Sequence, residues 1–494
     1  MLRYKALQIL KTFSLKDLKE FKLFLSSPFY NNNKSIIKLY DVFFNDFCFE
    51  EKSIELNNEN ILKLCNIKKH STLRNLFAKM YQLTEKFIEI KGFNNNSHIR
   101  YIALLEELMK SGLTDLFYTK YNEINKLLSK SNEISDKDFY LKFAINDLLL
   151  TCKDNVGILK SNNNLEDVMK IEKNCSDNLF IYSLINFIKF EISILSHSAS
   201  YNLDPKTILF HNIFVKLYNN DEIKELIDKF CEKDIFSKEI LNLYFLNLLF
   251  RTTEGESAID FFIQYSKLLK KYSKRLSIEE SYYFYKEFIW ICMFAMKYTK
   301  HENIEFQFYD ILLKNKGFKA YGKDYMNYRE FKHFLTRGSN TFRYEWTNNF
   351  IKKYLKYLPE EYRDTSLRLY KMNIYLRKDE NPQRALDELN GIKSFFSYDT
   401  KRDFHHASIM CCFDLGRYDE VIYRCDSFRH FLKNQKIGKT YADPFKKFIS
   451  YLLQITKLKI NKKSPEIDLK TKIKNDGLIA GKLWLLEKLE TFKK

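Results

Sequence analysis

At 494 residues and 59.6 kDa the chain exceeds what one ordinary core of roughly 50–200 residues organises, so it folds as several domains or one elongated array. Its 45% hydrophobic and 29% charged residues exclude wholesale disorder, and only 12 Gly and 6 Pro are too few for the turns of a sandwich or doubly wound sheet. The net charge of +19 admits a nucleic-acid or acidic-membrane partner, yet the lysines are spread along the chain, as nucleotide bias toward Lys, Asn, Ile, Phe and Tyr would leave them.

The reading in chain order is helical. Met1-Leu2-Arg3-Tyr4-Lys5 lacks the apolar core of a secretory signal. Ser14-x-x-Asp17 is a capping box that opens a helix, and Pro28 closes that helix. Asn31–Asn33 marks a loop. Leu73, Leu76, Phe77, Met80, Leu83 and Phe87 then repeat on one helical face. Asn94–Asn96, with Gly92 and Ser97 beside it, is the expected boundary of a small N-terminal bundle covering residues 1–96.

Beyond it, Ser135-x-x-Asp138 and Ser277-x-x-Glu280 read as further capping boxes, and Asn162–Asn164 as a loop. The acids Glu279 and Glu280 are read as first-turn residues that favour the helix dipole. The apolar runs Ile240–Phe250 and Phe288–Met296 fall short of the about 20 residues that a bilayer requires. The longer stretch Phe180–Leu195 is broken by Lys189 and Glu191, so no membrane span is expected.

The prolines continue the pattern. Asp204-Pro205, Asn381-Pro382, Asp443-Pro444 and Ser464-Pro465 each read as an N-cap followed by Pro at the first helical position, where no N–H is needed. Leu358-Pro359 precedes Glu360 and Glu361, acids suited to a helix start. Asn390-Gly391 and Asp476-Gly477 read as helix ends. Phe445, Phe448, Ile449, Leu452 and Ile455 form one helical face, and Leu478–Phe492 reads as a terminal capping helix carrying Trp484, Leu485 and Leu489.

A repeat emerges between residues 366 and 433. Gly416-Arg417-Tyr418-Asp419-Glu420-Val421 has the form Gly-x-Tyr-x-x-small, in which Gly turns one helix into the next and the small residue lets them approach. Ala385 occupies the matching place 36 residues before Val421, close to a 34-residue tetratricopeptide period. Leu389 and Ile392 correspond to Cys425 and Phe428, while Glu380 stands where the turn Gly would be. The expected architecture is all-α, an α-solenoid of stacked helix hairpins. Hairpin repeats would occupy 97–365, tetratricopeptide-like repeats 366–460 and capping helices 461–494.

Four stretches resemble a family of large, uncharacterised bacterial proteins of helical, tetratricopeptide-like type. They are Leu18-x-x-Phe21-x-x-Phe24-Leu25-x-Ser27-Pro28-Phe29 with Asn31, then Trp346-x-x-x-Phe350-Ile351-x-x-Tyr354-x-x-x-Leu358-Pro359-x-x-Tyr362-Arg363. Ser427-Phe428-Arg429-x-Phe431-Leu432 with Asn434, and Trp484-Leu485-Leu486-Glu487-Lys488, complete the set. The resemblance implies a helical fold and a cytosolic setting. It implies no activity.

Motifs that imitate chemistry have plainer explanations. Gly438-Lys439-Thr440 resembles the end of a phosphate loop, but position 433 is Lys where that loop requires Gly, and a helix precedes it instead of a strand. His405 and Cys412 share a helix face and Asp426 and His430 are spaced i, i+4, yet structural zinc requires four convergent ligands. The nine Cys are odd in number with no Cys-x-x-Cys, as expected of reduced thiols in a cytoplasmic protein. Tyr265–Tyr285 and Phe342–Lys371 interleave aromatic and basic residues as single-strand binders do, although helical spacing turns the rings inward and the lysines outward.

No catalytic, cofactor-binding or metal-binding residue is predicted. The expected function is a non-catalytic scaffold holding a protein or acidic peptide in a concave basic groove, with Tyr370, Arg377, His406 and Phe413 facing that groove. The alternative is an RNA- or DNA-binding protein using an extended positive surface.

Overall fold

The structure, a computed structural model, describes residues 4–49, 58–130, 135–155, 165–201, 225, 235–252, 256–295, 302–314, 318, 325–434, 439–462 and 467–492. Of these, 84% are helical, in 22 α-helices, and none lies in a β-strand. Pro205, Pro465 and Asn162–Asn164 fall outside the described residues. The chain divides into two compact units, residues 1–130 with 140–176, and residues 131–139 with 177–494.

The first unit starts with α1 (Lys5–Leu10), α2 (Leu15–Ser26), α3 (Lys34–Phe49), α4 (Asn58–Leu64) and α5 (His70–Asn95). Both limbs of the Ser14–Asp17 capping box form, so two of the orphan N–H groups at the start of α2 are satisfied. Phe21, Leu39, Tyr40 and Met80 are fully buried where these helices meet, and Tyr40 donates its hydroxyl to the Leu18 carbonyl at 2.7 Å. Every apolar residue of the expected α5 face is buried.

The asparagine run expected as a loop at Asn94–Asn96 is mostly helical. Asn94 and Asn95 belong to α5, and only Asn96 leaves the helix, its side chain capping α6 (Ser97–Lys110) by accepting from the Ile99 amide. With α7 (Thr114–Lys130) and much of α8 (Asp136–Asn155), α6 builds a second cluster around Leu105, Phe117 and Ile145.

One unit boundary follows α7, and the other two fall inside α8 and α9 (Leu165–Tyr201). Across Leu165–His197, α9 is long and apolar enough by composition to cross a bilayer. Its Lys189 has a protein environment, however. The ammonium lies 2.9 Å from Asp136 and 3.1 Å from Glu280, and above the rings of Tyr244 and Tyr283 at 5.3 and 5.2 Å. Glu280 also accepts the Tyr244 hydroxyl. Burial works against the charge on Lys189, but Glu280 and Asp136 raise its pKa above the ordinary value.

The second unit continues through α10 (Ile235–Thr252), α11 (Glu256–Tyr272), α12 (Ile278–Ala295), α13 (Glu302–Lys314), α14 (Tyr328–Asn340), α15 (Tyr344–Tyr354) and α16 (Glu360–Arg377). It ends with α17 (Pro382–Asn390), α18 (Tyr398–Asp414), α19 (Tyr418–Asn434), α20 (Lys439–Ile460), α21 (Ile467–Asn475) and α22 (Lys482–Glu490). Neighbours in sequence pack together, including α10 with α11, α16 with α17 and α18 with α19. Ala385 and Val421 are both fully buried at their helix crossings, and Leu389, Ile392, Cys425 and Phe428 are buried beside them.

Two expectations change in this unit. Ser277 does cap α12 by accepting the Glu280 amide at 3.2 Å, but the Glu280 carboxylate serves the Lys189 network instead of the helix start. Pro444 lies inside α20, not at its first position. Residues 439–443 add a turn before it, so the ring forfeits only a hydrogen bond near the helix start, which the helix tolerates. Asn381-Pro382 behaves as expected, Asn381 accepting from the Arg384 amide at 3.0 Å.

The turns joining α16 to α17 and α18 to α19 are left-handed 36 residues apart, φ +48° at Glu380 and +71° at Gly416. A side chain in this region costs about 1–2 kcal/mol, and nothing lies within 4 Å of where a Gly416 Cβ would be. Urea denaturation of Gly416→Ala will therefore show a loss of about 1–2 kcal/mol, whereas Glu380→Gly will gain up to about 1 kcal/mol. A Glu380→Gly protein that is less stable than wild type would refute this strain argument. In the same assay Lys189→Met will cost about 3–5 kcal/mol because it leaves buried carboxylates uncompensated, and adding Glu280→Gln will recover part of that loss.

Candidate functional site

In the second unit a cavity of about 300 Å3 opens between α14, α16 and α18, bounded also by Phe445 of α20 and by Ala480 and Gly481 before α22. Its apolar wall comes from Leu335, Leu369, Met372, Leu376 and Met410. Lys332, Arg377, Arg402, Asp403 and His406 supply its charged and titratable groups.

The helices around it are locked by polar contacts. Ser397 caps α18 by accepting the Thr400 amide, and the Thr400 hydroxyl lies 2.8 Å from that of Tyr328 on α14. Lys332 reaches from α14 to Asp403 on α18 at 2.7 Å. Arg402 pairs with Asp399 at 3.0 Å and Asp403 at 2.8 Å, and its guanidinium stacks 4.8 Å above the Phe445 ring. Against the upward pull of burial, Lys332 and Arg402 hold the Asp403 carboxyl below the usual carboxylate range.

Arg377 differs from the other two cations. Among the described residues it has neither an ion-pair nor a hydrogen-bond partner. It remains open to solvent, but the protein around it lowers its pKa, with Tyr344 opposing that effect. His406 is wedged edge-on against Phe448 and Phe445 at 4.4 and 5.3 Å, and among the described residues its buried Nε2 has no hydrogen-bond partner. Burial pulls the His406 pKa down to about 4, so the ring is neutral near pH 7.

Of the four residues expected to face a groove, Tyr370, Arg377 and His406 line this cavity. The Tyr370 hydroxyl is already engaged, donating to Asn348 Oδ1 at 2.7 Å. Phe413 is a correction. It is buried edge-on against Trp484 and Tyr418, because α22 folds onto the end of α18 through Lys488–Asp414 at 2.8 Å and Trp484–Asp414 at 3.2 Å. Asp399, Arg402 and Asp403 were not among the residues expected from sequence, although their spacing within one helical turn was the signal that could have found them. Their partnership with Lys332, some 70 residues earlier on another helix, had no such signal.

The motif-like residues sit elsewhere. His405 stacks on Phe428 and packs beside Phe431, whereas His406 faces Phe448. The Cys411 and Cys425 thiols are pushed up to about 12 by burial and are poor nucleophiles at neutral pH. Among the described residues no three His, Cys, Asp or Glu side chains are arranged to hold a metal. Asp426 and His430 form only an exposed pair at 3.7 Å. Gly438 lies outside the described residues, and Lys439-Thr440 begin α20 after the preceding helix α19.

In the two basic-aromatic stretches, Tyr265, Tyr272, Phe284, Tyr285 and Phe350 are buried, while Lys270, Lys271, Lys274 and Arg275 are exposed. These rings offer no platform for stacking a base. A separate buried cluster joins Glu305 to Arg337 at 2.7 Å, and the Tyr309 hydroxyl to Glu305 and to His333 Nε2. Burial lowers the His333 pKa to about 4.

No family model, curated protein or solved structure matches the chain.

His333 and His406 give the fold a defined acid sensitivity. An unfolded His titrates near pH 6.5, while these two refuse a proton until about 4. Their contribution is intact above pH 6.5. It falls as the pH drops toward 4, because the unfolded chain then binds protons that the folded chain does not. Thermal melts between pH 7.5 and 4.5 will show Tm falling through this window, with a shallower slope in His333→Gln or His406→Gln. An unchanged slope in both variants would refute the assignment.

Proposed function

We propose that this chain is a non-catalytic α-solenoid of stacked helix hairpins that binds a protein or peptide segment at the cavity between α14, α16 and α18. The observation carrying this reading is the meeting of Arg377 and His406, from the first helices of two successive hairpins, beside an apolar wall. A hairpin of this kind leaves one apolar face uncovered, and stacking converts a row of them into a continuous surface suited to extended ligands. The left-handed turns at Glu380 and Gly416 and the small residues Ala385 and Val421 support a repeat. The tetratricopeptide-like resemblance points the same way.

In this reading residues 1–96 are an N-terminal bundle, 97–460 the stack and 461–494 its cap, working in the cytoplasm without metal or cofactor. The net charge of +19 favours one rival, an RNA- or DNA-binding surface. Binding to phosphates weakens steeply with salt through counterion release, while an apolar-anchored peptide is held with little salt dependence. Affinity capture of the full chain from its native cell, with and without nuclease and at low and high salt, separates the two. Recovery of the same protein under all conditions is the expected result. Loss of every partner after nuclease would overturn the scaffold reading.

A further inference from the structure

Cations and carboxylates in the cavity are unevenly matched. Lys332 is neutralised by Asp403, and Arg402 by Asp399 and Asp403. Asp403 is thereby committed to two cations and presents little free charge to a ligand. Arg377 remains, the one cavity cation among the described residues with no ion pair or hydrogen bond. A planar guanidinium presents parallel N–H donors that fit the two oxygens of a carboxylate.

One unspent positive charge matches one negative charge. A polyanion gains its affinity from several unneutralised cations, which this cavity does not offer. The volume of about 300 Å3 is at the low end of the about 300–1,000 Å3 typical of ligand sites. It suits one side chain with its terminal group, not a chain running through. The wall beside Arg377, formed by Leu369, Met372, Leu376 and Met410, favours an apolar side chain.

We infer that the cavity binds the free C-terminal residue of a partner chain, with an apolar side chain against Leu369, Met372 and Met410 and the terminal carboxylate on Arg377. The source of that carboxylate, a polypeptide end, rests on the scaffold reading. The pocket itself rests on Arg377 and the apolar wall. Among the described residues Arg377 has no ion-pair or hydrogen-bond partner, so its replacement removes the anchor without breaking an ion pair among them.

The test uses the full chain and fluorescently labelled eight-residue peptides ending in Leu, Phe or Val, each as the free acid and as the C-terminal amide. The expected result is that at least one free acid binds and that its amide binds at least tenfold more weakly. Arg377→Gln will weaken the acid by at least tenfold and erase the difference between acid and amide. Arg377→Lys will retain part of it, and Arg429→Gln, at an exposed arginine on α19, will change nothing. A thermal melt of Arg377→Gln matching wild type shows that the loss is not unfolding.

Equal binding of acid and amide, or no binding by any peptide, would overturn the inference. If capture still returned a protein partner, the scaffold reading would survive that failure. N-acetyl-leucine is the small-acid arm of the experiment. Binding as tight as that of the best peptide would show that the pocket takes free organic acids, which overturns the chain-end source.

Discussion

Helix α18 has to be surrounded, and much of the second unit is arranged to do so. Seven consecutive residues, Ala407 through Phe413, are buried, which no helix achieves with one apolar face against a single neighbour. α17 packs on one side, α19 on another, and α22 closes the end through Asp414. Remove any of these and a band of apolar surface on α18 meets water. The first half of the same helix is polar, with Asp399, Arg402, Asp403 and His406, and it cannot be sealed by apolar packing. The cavity lies against that half. Its place follows from where the helix changes character, not from a loop or an insertion.

Charge is organised on two scales. Most lysines lie on exposed helix faces, where isolated pairs contribute little and are screened by salt. A few cations are drawn inward and paired with care: Lys189 with Asp136 and Glu280, Arg251 with Glu287, Arg337 with Glu305, Lys332 with Asp403. Such pairs do little for net stability relative to apolar packing, but they penalise a wrong register heavily, because a slipped helix would strand a buried charge. In a chain built from similar apolar helices this distinguishes one hairpin's neighbour from another's.

The local part of this fold was legible because helices are encoded locally. Caps such as Ser14 and Asn381, the α5 and α20 apolar faces, and the equivalence of Glu380 with Gly416 all depend on residues within about one turn of each other. Glu380 is the clearest case, since a glutamate in a glycine position is visible as a departure and adopts the left-handed backbone regardless. What escaped was long-range. Glu280 reads as a cap until Lys189 arrives from α9, and Phe413 reads as exposed until α22 folds over it. Of the site, Arg377 and His406 were accessible from repeat spacing, whereas Lys332 enters from a helix with no matching register.

Arg377, unpaired among the described residues, occupies a place where a helix favours a cation. The residue is in the last turn of α16, where the unsatisfied carbonyls give the helix terminus a partial negative charge. A terminus of this kind favours a cation and offsets part of the burial that lowers the Arg377 pKa. Arg402, by contrast, is in the second turn of α18 and is flanked by Asp399 and Asp403, which raise its pKa against the pull of burial. Two arginines of one cavity therefore differ in their surroundings, one at a helix C-terminus and the other between two carboxylates. Among the described residues the first has its N–H fork unengaged, and the second is paired on both sides.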